Sequence, residues 1–301
     1  MTKPTPYRIG IDLGGTKIEV VLLDGDHHTI LRERTPTPRQ GANLYAAILD
    51  ATVGLAKHAL AQVPGGESTI GIGIPGIIDP VRGRVINANA TSLIDKAFRA
   101  DIAQRLDRPV AMENDADCFT LAESLAGAGK GYAMVFGIIM GTGVGGGLCF
   151  NNQIFRGRHG IAGEWGHIAV VPDGRPCFCG NRGCVETLLS GTGMAAAYQR
   201  AHGRPLAAEA IVAGARQGDA DCRIIFDNFL EDFGRCVGGI ISLLDPHVII
   251  LGGGLSNIDE LYDTGAERAR RYAFHPDPQT PIVKNQLGDS AGVYGAAWIG
   301  I

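Results

Sequence analysis

The stretch 163–186, GEWGHIAVVPDGRPCFCGNRGCVE, sets one imidazole and three thiols between two carboxylates. His167, Cys177, Cys179 and Cys184 form a Cys₃His set, the donor chemistry of a tetrahedral zinc site. Gly180 and Gly183 stand in the C-x-C-G-x-x-G-C run where a backbone bending round an ion needs positive φ. Cysteines that are merely buried are common, but that reading explains less well why three fall so close together among glycines. Four protein ligands would complete the shell, so the zinc is expected to be structural, with no position left for a reacting water. The question is then what Glu164, His167 and Glu186 are held in place to do.

Glycine turns supply a second kind of chemistry. Gly141-x-Gly143-x-x-Gly146 matches the string G-x-G-x-x-G, yet a strand-like LCF follows it where a dinucleotide fold needs a helix. A hairpin turn fits better, and its bare N–H groups at Gly141, Thr142 and Gly143 can nest a phosphate. Gly14, Gly15, Thr16 and Lys17 make a similar turn, with a hydroxyl and a cation added. Either turn alone is equally well read as a plain hairpin. Two of them, with a third glycine run containing Gly253 and Gly254, favour a nucleoside triphosphate. Asp12, at the end of the first strand, could orient Mg²⁺ through water or simply cap a turn. Asp115 is either a first-turn carboxylate favoured by the helix dipole or the acceptor of a proton from an attacking hydroxyl. Its sequence neighbours leave both open.

Elements must position these groups. Alternating runs at 8–13 and 17–24 predict a hairpin around DLGGTK, and 30–35 a third strand. A helix is expected over about 42–61, with Leu44, Ile48, Ala51 and Leu55 on its core face. Strands follow at 69–74 and 109–113. Asn114 is the natural N-cap of a helix running through Ala126. The run 133–140, the turn GTGVGGG and a strand at 148–150 repeat the opening layout, which suggests two related lobes. Helices are expected near 193–201, 206–215, 220–244, 259–272 and 291–299, with strands at 247–251 and 281–284. The pattern predicts an α/β fold of two similar lobes and a cleft between them. The small lobe is taken as 1–115, completed by the helix at about 291–301, and the large lobe as 116–290, carrying the zinc loop.

Composition narrows the class. Across 301 residues, 45% are hydrophobic and the net charge is −4, so nothing draws the chain toward nucleic acid or an anionic membrane. No apolar run is read as approaching the ~18 residues of a membrane span, and the start lacks a signal-peptide core. Three of the seven cysteines go to metal. Cys118, Cys149, Cys222 and Cys236 lie in apolar surroundings as expected thiols, which fits a reducing, cytoplasmic setting.

With DLGGTK, GIPG (73–76), ENDAD (113–117), GTGVGGG, GEWGH, CFCGNRGCVE and GGGLS (252–256) in order, the chain resembles the ROK family from Ile9 to its C-terminal helix. That family holds sugar kinases and transcriptional repressors with the two-lobed actin/hexokinase-like (ribonuclease H-like) ATPase fold. The resemblance implies Asp115 as the base that takes the proton of the sugar hydroxyl attacking the γ-phosphate. It implies Asn89, Asn114, Glu164, His167 and Glu186 as sugar contacts, His167 being a zinc ligand as well. The turns at 14–17 and 141–146 correspond to phosphate loops, with adenosine at Gly253 and Gly254, Mg²⁺ accompanying ATP, and a homodimer by analogy. Phosphoryl transfer rests mainly on positioning and charge, which suits such a set.

The runs VINANAT (85–91), PCFCGNRGCVET and GDSAGVYGAAW look most like ROK fructokinases. The expected reaction is therefore ATP-dependent phosphorylation of fructose at its 6-hydroxyl. N-acetylglucosamine, N-acetylmannosamine, glucose or mannose kinases of the family are the alternatives. The repressor branch carries a helix-turn-helix ahead of DLGGTK, whereas eleven residues precede Asp12 here, so a repressor is not expected. A zinc hydrolase is disfavoured because all four ligands are committed, and a silent sugar-binding module because Asp115 is in place.

Overall fold

A computed structural model describes residues 7–65, 67–88 and 90–300. Asn89, expected to touch the sugar, lies outside the described residues. The β-rich opening forms strands β1 (Tyr7–Leu13), β2 (Lys17–Leu23) and β3 (Thr29–Pro36), followed by helix α1 (Leu44–Ala61). Strands β4 (Ser68–Ile74), β5 (Ile77–Ile78) and β6 (Val85–Ile86) lead to α2 (Phe98–Leu106), β7 (Ala111–Asn114) and α3 (Asp115–Ala126). Strands β8 (Met134–Met140), β9 (Val144–Phe150) and β10 (Gln153–Ile154) come next. Helices α4 (Glu186–Leu189), α5 (Gly191–His202), α6 (Ala208–Arg216) and α7 (Ala220–Leu244) follow the cysteine segment. The chain closes with β11 (Val248–Gly252), α8 (Thr264–Tyr272), β12 (Ile282–Lys284) and α9 (Ala291–Ile299).

The chain divides into two units. One comprises the described residues up to Ala122, the segment Arg156–Ala162 and the residues from Asp289 onward. The other is Glu123–Phe155 with Gly163–Gly288. The division falls inside α3 rather than at residue 115. The first turns of that helix pack with α9, where the Cys118 carbonyl lies so near Gly295 that a Cβ there would be 1.8 Å from it. At the other end Glu123 accepts the backbone N–H groups of Ala128, Gln286 and Leu287 in the second unit. The return of 156–162 to the first unit has no signal in the local sequence pattern.

Each unit is built on a five-stranded sheet, β3-β2-β1-β4-β7 in the first and β10-β9-β8-β11-β12 in the second. In both, the first three strands pair antiparallel and the last two pairings are parallel. The two glycine turns therefore occupy the same place in the same topology, and this gives the internal repeat a structural form. In the first unit α9 lies directly on the sheet because Gly10 and Gly71 present no side chain. A Cβ at Gly71 would stand 1.9 Å from the Ala296 carbonyl.

Some expectations shift. The buried face of α1 is Ile48, Leu49, Thr52, Val53, Ala56 and Ala59, with Leu44, Ala51 and Leu55 at its margin. By length and composition alone α1 reaches the threshold for a membrane-crossing helix, at mean hydropathy 1.2. Its opposite face carries exposed Asp50, Lys57 and His58, and its apolar face is part of the first unit's core. The second glycine turn is confined to 141–143, and β9 already starts at Val144. Its glycines serve packing: a Cβ on Gly146 would lie 2.5 Å from the Trp165 ring. The segment expected as one helix over 259–272 is a short 3₁₀ turn at Asp259–Leu261 followed by α8.

Candidate functional site

In the first unit the carboxylates gather at the ends of β1 and β7. Asp12, opposite Glu19 on β2 and Gly73 on β4, is half-buried. Burial, then the nearby charges of Asp115 and Glu19, push its carboxyl up to about 7, against a smaller pull from Lys17. Asp115 begins α3 and accepts the Ala116 N–H at 2.9 Å. Asn114, just before it, caps the helix: its Oδ1 accepts from Ala116 at 2.8 Å, and its Nδ2 donates to the Gly76 carbonyl at 3.3 Å. The GIPG corner and the acidic helix start are thus tied together.

The turn after β1 is braced by its carbonyls. Gly14 donates to the Lys17 carbonyl at 2.9 Å, while Thr37 and Arg39 donate to the carbonyls of Gly14 and Gly15 at 2.7 and 3.0 Å. Gly15 and Thr16 are exposed at its tip. Lys17 is not simply an open cation, since its Nζ lies 3.3 Å from Glu19 and 3.5 Å from Asp289. Glu19 is fully buried and holds Arg32 and Arg34 at 2.6 and 2.9 Å. Burial raises its pKa, but those arginines and Lys17 outweigh it and hold the carboxyl below its ordinary value. Sequence reasoning passed over this cluster, although Arg32 and Arg34 sit two apart on one face of β3.

Asp12 carries a prediction of its own. Its folded pKa of about 7 lies above the ordinary 3.8. The stability this proton contributes is therefore complete below about pH 4 and lost as pH rises through 7. With no nucleotide or divalent cation added, Asp12→Asn is expected to raise the unfolding free energy at pH 8 by on the order of 2 kcal/mol, read by urea denaturation. Equal or lower stability would overturn the assignment of a strained carboxylate.

In the second unit the turn 141–143 is held by Gly141 donating to the Gly143 carbonyl at 2.9 Å. Gly191 N–H and the Thr192 hydroxyl donate to the carbonyls of Gly141 and Thr142, both at 2.8 Å, so the start of α5 braces it. Gly141, Thr142, Gly254, Leu255, Thr192 and Glu209 share in lining a cavity of about 430 Å³. Three of the residues expected at a nucleotide thus meet in one place, on backbone groups and a mostly small-residue wall. Gly253 is not among the residues that line this cavity, and its glycine has a packing reason. At φ 79°, a Cβ on it would lie 2.4 Å from the Met140 carbonyl, so its glycine lets the chain leave β11 close against β8.

The cysteine segment comes together as the sequence implies. The ligand atoms of His167, Cys177, Cys179 and Cys184 all lie within 4.8 Å of one another. Cys179 and Cys184 sulfurs are 3.7 Å apart, and the Cys177 sulfur is 3.5 Å from His167 Nδ1. These are close to the edge of about 3.8 Å that a tetrahedron of zinc–sulfur bonds requires. Gly180 and Gly183 have φ of 93° and 66°. A Cβ on Gly183 would be 2.0 Å from the Val171 carbonyl, so the loop closes only with glycine there. Burial and the two neighbouring thiols push Cys184 up to about 12, so three thiolates could not coexist there without a cation. The donor set fits zinc in number, chemistry and spacing.

The two glutamates lie beside this knot. Glu186 opens α4, accepts the Val144 N–H at 3.1 Å and takes a hydrogen bond from the Cys177 thiol at 3.7 Å. Its carboxylate also explains Gly143, where a Cβ would lie 2.5 Å from Oε2. Glu164 is half-buried, and burial followed by the charge of Glu186 pushes it up to about 7. His167 donates its backbone N–H to the Glu164 carbonyl at 3.2 Å, and Trp165, buried between them, anchors to Gly145 through Nε1 at 3.1 Å.

The pattern of the ROK family matches residues 8–301. The chain is 38% identical to an N-acetyl-D-glucosamine kinase of Pectobacterium atrosepticum over 96% of its length and 97% of that protein's. A ROK hexokinase of Thermus thermophilus shares its fold at a TM-score of 0.86, with 30% identity over 98% of this chain and 97% of that one. A ROK glucokinase of Streptomyces griseus, solved with glucose and AMPPNP, aligns at 0.81 with 32% identity over 98% and 99%. Two related five-stranded units, and one unbroken match from β1 to the C-terminus, place this chain in the ROK family.

Proposed function

We propose that the protein is an ATP-dependent kinase of hexoses that transfers the γ-phosphate to the sugar 6-hydroxyl, with an N-acetylated hexosamine, N-acetyl-D-glucosamine first, as substrate. The observation that carries the sugar is the 38% identity, over nearly the full length of both chains, with N-acetyl-D-glucosamine kinases of Pectobacterium and Escherichia coli. The fructose reading leaned on runs such as VINANAT, and the relatives favour the N-acetylglucosamine alternative over it.

In this reading Asp115 takes the proton of the attacking hydroxyl. Its place at the capped start of α3, where it accepts the Ala116 N–H, orients the carboxylate for that step. Asn114, Glu164, His167 and Glu186 hold sugar hydroxyls, together with Asn89 by family resemblance. His167, Cys177, Cys179 and Cys184 would hold a structural zinc, and His167, with Nδ1 turned toward the thiols, would keep Nε2 for the sugar. Gly141, Thr142, Gly143 and Gly254 accept the nucleotide, and Gly14, Gly15 and Thr16 the transferring phosphate, with Lys17 adding charge. Mg²⁺ accompanying ATP would supply charge neutralisation at the phosphates. Asp12 would hold water of such an ion, and a cation there would reverse the upward shift of that carboxyl.

An ADP-release assay over N-acetylglucosamine, N-acetylmannosamine, glucose, mannose and fructose tests this. N-acetylglucosamine is expected to lead fructose in kcat/KM by about tenfold or more, the range one well-placed polar contact gives. Fructose in the lead would restore the first reading, and no turnover with any hexose would overturn the kinase assignment.

A further inference from the structure

Within the first unit a pocket of about 250 Å³ is lined by Ile77, Ile78, Met112, Asn114, Arg99 and Arg156, among others. Nothing in the roles assigned above uses it, apart from Asn114 at its wall. Three kinds of surface meet there. Ile77 and Met112 are buried and give an apolar wall. Glu113, mostly covered, accepts Arg156 Nε on Oε1 at 2.5 Å. Among the described residues its Oε2 takes no hydrogen bond, which leaves that oxygen to accept. Arg99 also lines the pocket, and its charge reaches Glu113, yet it makes no hydrogen bond among the described residues. Burial pushes the Glu113 carboxyl upward, and the charges of Arg156 and, more weakly, Arg99 pull against this.

The segment that supplies Arg156 is the one that leaves the second unit's strands to join the first. Gly157 and Gly160, at φ of 68° and 70°, shape its path, and Gly160 lies against the β5 backbone, where a Cβ would be 3.5 Å from the Ile78 carbonyl. The detour thus closes one side of the pocket. The opposite side is the Gly76–Asn114 corner, where the Asn114 amide is already pinned to Gly76.

An apolar wall, an open carboxylate oxygen and an unpaired guanidinium together complement one chemical group: a methyl, an N–H and a carbonyl oxygen in fixed order. Hydroxyls alone would leave the apolar wall unmatched. We propose, on the strength of the kinase reading above, that this pocket receives the 2-acetamido arm of the sugar. The methyl lies on Ile77 and Met112, the amide N–H donates to Glu113, and Arg99 donates to the acetyl oxygen. Arg156 acts as a positioning residue that holds Glu113 in place. The proposal makes Arg99 a determinant of acyl selectivity with no part in the transfer itself.

Arg99 is exposed and outside the core, so Arg99→Met is expected to fold, and turnover of an unacylated hexose reports that directly. The experiment compares kcat/KM for N-acetylglucosamine with that for glucose, or for whichever unacylated hexose the wild-type panel ranks highest. In Arg99→Met the value for N-acetylglucosamine is expected to fall about 30-fold, mostly through KM, while the unacylated sugar stays within about threefold. Arg99→Lys should recover part of the loss, because a cation remains but the planar fork does not. Equal losses on both sugars, or no loss on either, would overturn the pocket assignment while the wild-type preference still stood. A wild type with no preference for the acetylated sugar would instead overturn the substrate reading, and this inference with it.

Discussion

Asp115→Asn is expected to lower kcat about a thousandfold and to leave the KM for sugar within about threefold. The amide keeps the size of the carboxylate and can still accept the Ala116 N–H that Asp115 accepts at 2.9 Å. The Asn114 cap, which sets the start of α3, is untouched. What is lost is the capacity to take a proton as the sugar oxygen attacks. That places the whole effect in the turnover step, because ground-state contacts survive. A second consequence is independent of catalysis. The Asp115 charge is one reason the Asp12 carboxyl is raised to about 7, so the variant should bring that pKa down, observable by NMR titration of the Asp12 carboxyl. Turnover within tenfold of wild type would remove Asp115 from the base role. An unchanged Asp12 titration would mean that the two carboxyls are not coupled as described.

Cys184→Ser is expected to act on the other side of the reaction. Cys184 is fully buried, and its sulfur lies 3.7 Å from Cys179. Its loss should cut zinc from about one per chain to a small fraction, because three remaining donors cannot close a tetrahedral shell. The segment around it has little regular structure, only the bridges Ala169↔Cys184 and Pro176↔Arg182 and a short 3₁₀ turn at Trp165–His167. A bound ion would supply much of the shape of a loop with so few backbone pairings. Glu186 lies 3.7 Å from the Cys177 sulfur and accepts the Val144 N–H, so disorder in the knot reaches it directly. The hexose KM is expected to rise by more than about 30-fold, with the KM for ATP within about threefold. That split is the diagnostic result. A variant with normal sugar KM, or wild-type protein containing less than about half a zinc per chain, would defeat the role given to the knot. Chelation of wild-type protein should reproduce the same split if the metal, rather than the serine, is responsible.

The two experiments probe parts of the chain that differed in legibility. The Cys₃His cluster could be read from four residues because ligand chemistry is local: thiol and imidazole spacing, with glycines at 180 and 183, favours bringing the four donors together. Asp115 reads as a choice between two roles, and the base role proposed for it rests on the family motif rather than on its neighbours. Arg99, Glu113 and Arg156 carried no such signal, since they are an ordinary helix arginine, a strand glutamate and a loop arginine. Glu19 and its arginines were likewise hidden, because a charge reads as solvated until the fold buries it.

By itself the sequence determined which chemistry was available: the Cys₃His donors, the two glycine turns, the acid after Asn114 and the alternation that makes strands. It also contained the repeat, although the two copies share little more than their turns. Only the tertiary structure decided where one unit ends. Helix α3 is shared because Cys118 packs against Gly295 in one unit while Glu123 accepts backbone N–H groups of the other, and 156–162 joins the first unit with Gly160 close against β5. It also decided that Gly146 and Gly253 serve packing, while Gly141, Thr142 and Gly254 line a cavity. The physical reason is the same in each case. Spacing along the chain dictates local geometry and donor type, but burial, charge pairing and empty space depend on residues that meet only after the strands have paired.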